Sequence, residues 1–209
     1  MFKAAYIKFL WNSVNSHGVH SPYVYSLVAN GFYAKQLDIE VDKNAAASVL
    51  NKAALTILFK TIRYFKSYKL LVLGEDTTPV TETIRAVAED INAKIWFYST
   101  VVPVPGGVDL AYLVGDDTKS LSAALDELLP NINNNSVCVI GNIHQSTEME
   151  LAWEAIKKDP NVTVTVDTYH LGIVFFRREQ TKQHFIIRPY KSVFTDAILG
   201  IRNLWGLIS

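Results

Sequence analysis

The strongest constraint on the fold is a change of rhythm at Lys69. There Leu70-Leu71-Val72-Leu73 forms a short continuous apolar run closed by Gly74, the pattern of a strand buried on both faces. A helical pattern follows over residues 80–91, then Ile95-Trp96-Phe97-Tyr98, then Leu110-Ala111-Tyr112-Leu113-Val114. A helix over 121–129, the run Val137-Cys138-Val139-Ile140 and a helix over 148–158 continue the alternation. Short apolar strands separated by amphipathic helices predict right-handed crossovers and a parallel sheet. The ending departs from this. Residues 162–166, 172–177 and 185–188 read as strands with no helix between them, which predicts an antiparallel C-terminal edge. The expected class is therefore α/β, a doubly wound and mostly parallel sheet.

The residues before Lys69 read as helical. Phe2, Tyr6, Phe9 and Leu10 share one face, and Leu50, Ala54, Ile57, Leu58, Ile62 and Phe65 mark a longer amphipathic helix. Between them, Ser16-His17-Gly18-Val19-His20-Ser21-Pro22 breaks one helix and starts another, with Ser21 at the N-cap and Pro22 at the first helical position. The expected organisation is one globular unit: a helical region over 1–66 packed on the sheet, an α/β core over 67–190, and an apolar C-terminal helix over 191–209.

Composition narrows the function classes. Among 209 residues, 20 Lys+Arg balance 20 Asp+Glu, so there is no net basic charge to draw the chain to nucleic acid. The single cysteine, Cys138, sits in an apolar run, which excludes an intrachain disulfide and fits a reducing compartment. No stretch reaches the roughly 18 apolar residues of a membrane span. The start lacks the apolar core of a signal peptide, and the expectation is a cytoplasmic protein.

Several segments carry a likeness that periodicity alone does not supply. They are Trp11-Asn12-Ser13, His17-Gly18-Val19-His20-Ser21-Pro22, Asn142-Ile143-His144, Glu148-Met149-Glu150-Leu151-Ala152-Trp153, Val162 through Thr168, and Gly172-Ile173-Val174-Phe175-Phe176-Arg177. Together they resemble a bacterial family of class I S-adenosylmethionine-dependent methyltransferases with a Rossmann-like fold. The resemblance implies a doubly wound sheet with an antiparallel final hairpin, and a cofactor lying across the carboxyl ends of the parallel strands.

Set beside that family, the site residues depart from what the cofactor requires. The family's first strand carries an acidic residue and a glycine-rich turn; here Val72 takes the acidic place, Thr78 takes a glycine place, and only Gly74 fits. Glu75 and Asp76 add negative charge, and Asp76 or Thr78 is expected to start the next helix as an ordinary capped turn. At the second strand tip the ribose acceptor is replaced by Ser99. From there residues 99–109 lead directly to the next strand. A βαβ unit needs about 30 residues, so the wall of the adenine pocket is missing. Metal-dependent relatives place acids where Val114 and Gly141 stand; Asp116 and Asp117 read as caps of the following helix, and no metal is expected.

Two functional readings follow. The favoured one is a methyltransferase-fold protein that has lost S-adenosylmethionine binding and catalysis and serves as a binding or assembly module. The alternative is an active O-methyltransferase-like enzyme with a rearranged pocket: Gly74, Glu75 and Ser99 at the cofactor, and His144 at the rim as general base. His144 also reads as a polar loop residue, and His17 and His20 as part of a packing turn rather than a metal pair. The apolar tail, with Ile198, Leu199, Leu204, Trp205, Leu207 and Ile208, is expected to pack on its own domain, on a second copy or on a protein partner.

Overall fold

The computed structural model describes residues 2–34, 50–98 and 104–191. The expected C-terminal helix and Ser99 fall outside these residues.

Helix α1 spans Phe2–Asn12, and α2, Pro22–Ser26, runs on through a π-helical turn, Leu27–Phe32. Between them a 3-10 turn, Ser16–Gly18, is capped by the Asn15 side chain, which accepts from His17 N. Ser21 caps α2 by accepting from Val24 N, and Pro22 occupies its first turn, as the sequence predicts. Helix α3, Lys52–Phe65, is the long amphipathic one; Asn51 caps it and Lys66, at φ 53°, closes it in the left-handed region.

The core then alternates through β1 (Lys69–Gly74), α4 (Thr78–Asp90), β2 (Trp96–Tyr98), β3 (Leu110–Val114), α5 (Thr118–Leu128), β4 (Val137–Gly141) and α6 (Thr147–Lys158). It ends in β5 (Val164–Asp167), β6 (Leu171–Phe175) and β7 (Gln183–Ile186). The seven strands order as β2-β1-β3-β4-β6-β5-β7. Strand β6 alone is reversed, antiparallel to β4 and β5, whereas every other pairing is parallel. The antiparallel part of the sheet thus lies on its C-terminal side, with β6 set inside it and β7 at the rim.

Alternate strand residues feed two apolar layers, as the period of a strand requires. Leu70, Tyr112, Val137, Val139, Ile173 and Phe175 face the 22–32 helical segment, α3 and α4. Leu71, Leu73, Ala111, Leu113, Cys138, Ile140 and Val174 face α5 and α6. A sheet covered on both faces explains why its strands read as nearly continuous apolar runs. Among the described residues, no helix is long and apolar enough to cross a membrane.

The N-terminal segment also joins the sheet. Val14 bridges Ile187 in parallel fashion beyond β7. The buried Arg188 guanidinium donates to the Ser13 carbonyl at 2.7 Å, and Arg188 N donates to Val14 O at 3.0 Å. The His17-Gly18 turn packs directly on this junction, since a Cβ at Gly18 would lie 2.8 Å from Val14 Cβ.

Candidate functional site

In a sheet of this kind the candidate site lies at the carboxyl ends of the parallel strands. At the β1 tip Gly74 has φ +115°, and a Cβ there would stand 1.8 Å from the Val114 carbonyl oxygen. Gly74 pairs with Val114 across the β1–β3 ladder. Its lack of a side chain is therefore explained by the approach of two strands, with no ligand needed. Glu75 and Asp76 are exposed, and Asp76 adopts φ 47°. Helix α4 begins at Thr78, one of the two expected starts, but it is not capped as expected: Thr77 is the N-cap residue and makes no side-chain capping bond. Pro79 in the first turn has no amide to satisfy, which lowers the need for a cap.

The description breaks off at Tyr98, at the β2 tip, and among the described residues β2 is the outer strand of the sheet, paired to β1 alone. Residues 99–109 lead from it to β3, which lies on the far side of β1. Trp96 and Tyr98 are exposed on this rim, and Arg85 sits over the Phe97 ring at 5.2 Å.

At the β3 tip, Asp117 caps α5 through a reciprocal pair: its carboxylate accepts from Ser120 N at 2.7 Å, and Ser120 Oγ accepts from Asp117 N. The backbone bond from Ser120 holds the Asp117 carboxyl below the usual carboxylate range. At the β4 tip, Gly141 leaves room for the Tyr112 hydroxyl, which a Cβ would approach to 1.9 Å. A tyrosine from the neighbouring strand fills the space beside the β4 tip. Among the described residues, no group of three or more His, Cys, Asp and Glu side chains is arranged to hold a metal ion.

Polar chemistry gathers instead at the tips of β4 and β5. Asn142, at φ 53°, turns the chain after β4, and its amide donates to His170 O at 2.8 Å. The turn delivers His144 between two carboxylates: Nε2 lies 2.8 Å from Asp167 Oδ2, and Nδ1 lies 3.1 Å from Glu150 Oε1. Asp167, at the end of β5, is buried, and its other oxygen accepts from Tyr169 N at 2.8 Å. Glu150 comes from the first turn of α6, which Ser146 caps. The Tyr169 ring stacks on the imidazole at 5.4 Å and 18°.

Carboxylates accept hydrogen bonds, so both contacts are satisfied together only when both ring nitrogens carry protons. Burial opposes that charge, but the bonds to Asp167 and Glu150 outweigh it and raise the His144 pKa above its ordinary value. In this geometry neither ring nitrogen is left to accept a proton from a substrate. Beside the cluster is a cavity of about 360 Å³, lined by Phe9 and Lys8 of α1, Glu150 and Trp153 of α6, and Thr165 and His184 of β5 and β7.

Sequence reasoning singled out His144 but not Glu150, Asp167 or Tyr169 as its neighbours. Glu150 is six residues away and has a readable signal, an acid in the first turn of a capped helix. Asp167 is 23 residues away and meets His144 only through the strand order.

No family model matches the chain, and no curated protein sequence matches it. Solved structures include similar folds. The S-adenosylhomocysteine-bound methyltransferase PaMTH1 of Podospora anserina shares 8% identity over 65% of this chain and 83% of its own, with a TM-score of 0.44. A S-adenosylmethionine-dependent methyltransferase from Geobacter sulfurreducens, in complex with S-adenosyl-L-homocysteine, shares 13% identity over 58% of this chain and 55% of its own, with a TM-score of 0.32. Both scores are too low to carry weight, and the fold rests on the strand order itself: a doubly wound, mostly parallel, Rossmann-like sheet with one reversed strand near its C-terminal rim.

Proposed function

We propose that this chain is a noncatalytic, methyltransferase-like module that has lost S-adenosylmethionine and keeps the sheet for binding or assembly. The observation that carries this reading is the eleven-residue path, 99–109, from the outer strand β2 to β3. A cofactor adenine needs a wall beyond the second strand, and a further strand with its crossover needs about 30 residues. The strand tips support the same reading. Gly74 serves strand packing and Gly141 accommodates Tyr112. An enzyme using His144 as general base would first have to break its contact with Asp167 or Glu150.

The expected partner is a protein, a second copy or another chain, engaged through the apolar residues after Lys191. Isothermal titration with S-adenosylmethionine and S-adenosylhomocysteine tests the central claim. Absence of binding up to millimolar ligand is expected, and one-to-one binding at micromolar concentration would overturn it. Sedimentation of the purified protein tests the partner: a monomer that stays alone in native extract counts against assembly.

A further inference from the structure

The His144 cluster is also the point where the N-terminal helix meets the rest of the molecule. Tyr169, which covers His144, sits at φ 73°, a left-handed conformation unfavourable for an aromatic residue. Its ring meets four others, His170 of its own turn among them. The His144 imidazole stacks on it, Tyr6 meets it edge-on at 4.8 Å and 74°, and Phe9 meets it at 5.4 Å and 56°. Phe9 is the buried anchor of α1, whereas Ile7 and Trp11 on the same helix are 64% and 56% exposed. At its other end α1 is fixed differently, by the Val14–Ile187 bridge and the Arg188 bonds to Ser13. Helix α1 thus has a firm hinge after Asn12 and a small aromatic contact at its front, and it walls the 360 Å³ cavity through Ala5, Lys8, Phe9 and Asn12.

We propose that His144 is a proton-operated latch for α1: the imidazolium, bridging Glu150 and Asp167, holds Tyr169 against Tyr6 and Phe9, and its deprotonation frees α1 and opens the cavity beneath. Loss of the proton to solvent leaves an imidazole with one N–H. One carboxylate then faces a nitrogen lone pair, and the cation over the Tyr169 ring is gone. The bridge and the stack weaken together.

Among the described residues, the groups that face this cluster are few. Helix α6 presents Glu150, Glu154 and Lys157, the last two paired with each other; β5 and β7 present Asp167 and His184; α1 presents Tyr6 and Lys8. His170 lies against the Tyr169 edge. Burial lowers the titration of His170 and His184, and it raises that of Tyr169. The two histidines are thus shifted opposite in direction to His144, and the tyrosine is moved further from it.

The test is hydrogen exchange by mass spectrometry on the full chain between pH 6 and pH 9, corrected for intrinsic exchange. Peptides of α1 are read against β4 as internal reference. Protection of α1 is expected to fall at least tenfold with rising pH while β4 stays unchanged. In His144→Gln, α1 should be weakly protected at every pH. Flat α1 protection in the unsubstituted protein, or the same pH dependence in His144→Gln, would overturn the latch. Should the variant fail to fold, NMR titration of His144 in the unsubstituted protein decides: a pKa below 6.5 overturns the proposal.

Discussion

The two halves of the strand-tip surface are built differently. At the β1 and β3 tips, places where a cofactor-binding sheet would offer open backbone and carboxylates are taken by strand pairing and helix capping. At the β4 and β5 tips a histidine, two carboxylates and a tyrosine form a connected cluster. In the first half the carboxylates are exposed or spent on a helix cap, and in the second they converge on one histidine. Gly74 against Val114 is the tight contact of the first half, and Gly141 against Tyr112 brings one of the same kind to the β4 tip.

The sharpest way to break this comparison is Gly74→Ala. A Cβ 1.8 Å from a carbonyl oxygen, at φ +115°, forces the two strands apart. We expect a loss of about 3–5 kcal/mol, or failure to fold, measured by urea denaturation. A variant of unchanged stability would mean that the β1 tip is open after all. Gly141→Ala should cost about 2–4 kcal/mol by overpacking, and the added Tyr112→Phe change, which removes the crowding hydroxyl, should recover part of that loss. No recovery would exclude the tyrosine as the reason for the glycine.

In the charged half, Asp167→Asn removes the nearer partner of a largely buried histidine. It should destabilise by about 2–3 kcal/mol at pH 6, and by less once the pH has risen through the folded pKa and the imidazole has lost its proton. The pH dependence of the unsubstituted protein follows in sign. His144 has a folded pKa raised above its unfolded value, so its contribution is fully present below about pH 6.5 and is lost as pH rises through the folded pKa. His170 and His184, lowered by burial, act oppositely, withdrawing stability as the solution turns acid. Thermal denaturation from pH 5 to pH 9 in His144→Gln isolates the first contribution. The smallest effects should come from Ser146→Ala, about 1 kcal/mol for the lost cap of α6, and from Glu75→Gln, within about 0.5 kcal/mol as an exposed substitution.

Much of the fold could be read from the chain because local chemistry decided it. The run 70–73 is apolar throughout because it is covered on both faces; Ser21-Pro22 and Asp117-Ser120 carry their own capping chemistry; the connection 99–109 is short by count. What escaped was nonlocal. Nothing near Gly141 announces that Tyr112 needs its space, and nothing near His144 announces Asp167. The reversed strand was expected, yet its place between β4 and β5 depends on which neighbours offer a free edge. The start of α4 at Thr78 was among the expected ones, whereas its cap was not: Thr77 holds the N-cap position without a side-chain bond, and Asp76 before it is left-handed.

The bridge between Val14 and Ile187 sets an order of events during synthesis. Val14 leaves the ribosome long before its partner exists, and at about 5–20 residues per second it waits for many seconds. The stretch from α1 to Val14 must therefore remain undocked at the β7 rim while the sheet is laid down, until Ile187 and Arg188 arrive to fasten Val14 and Ser13.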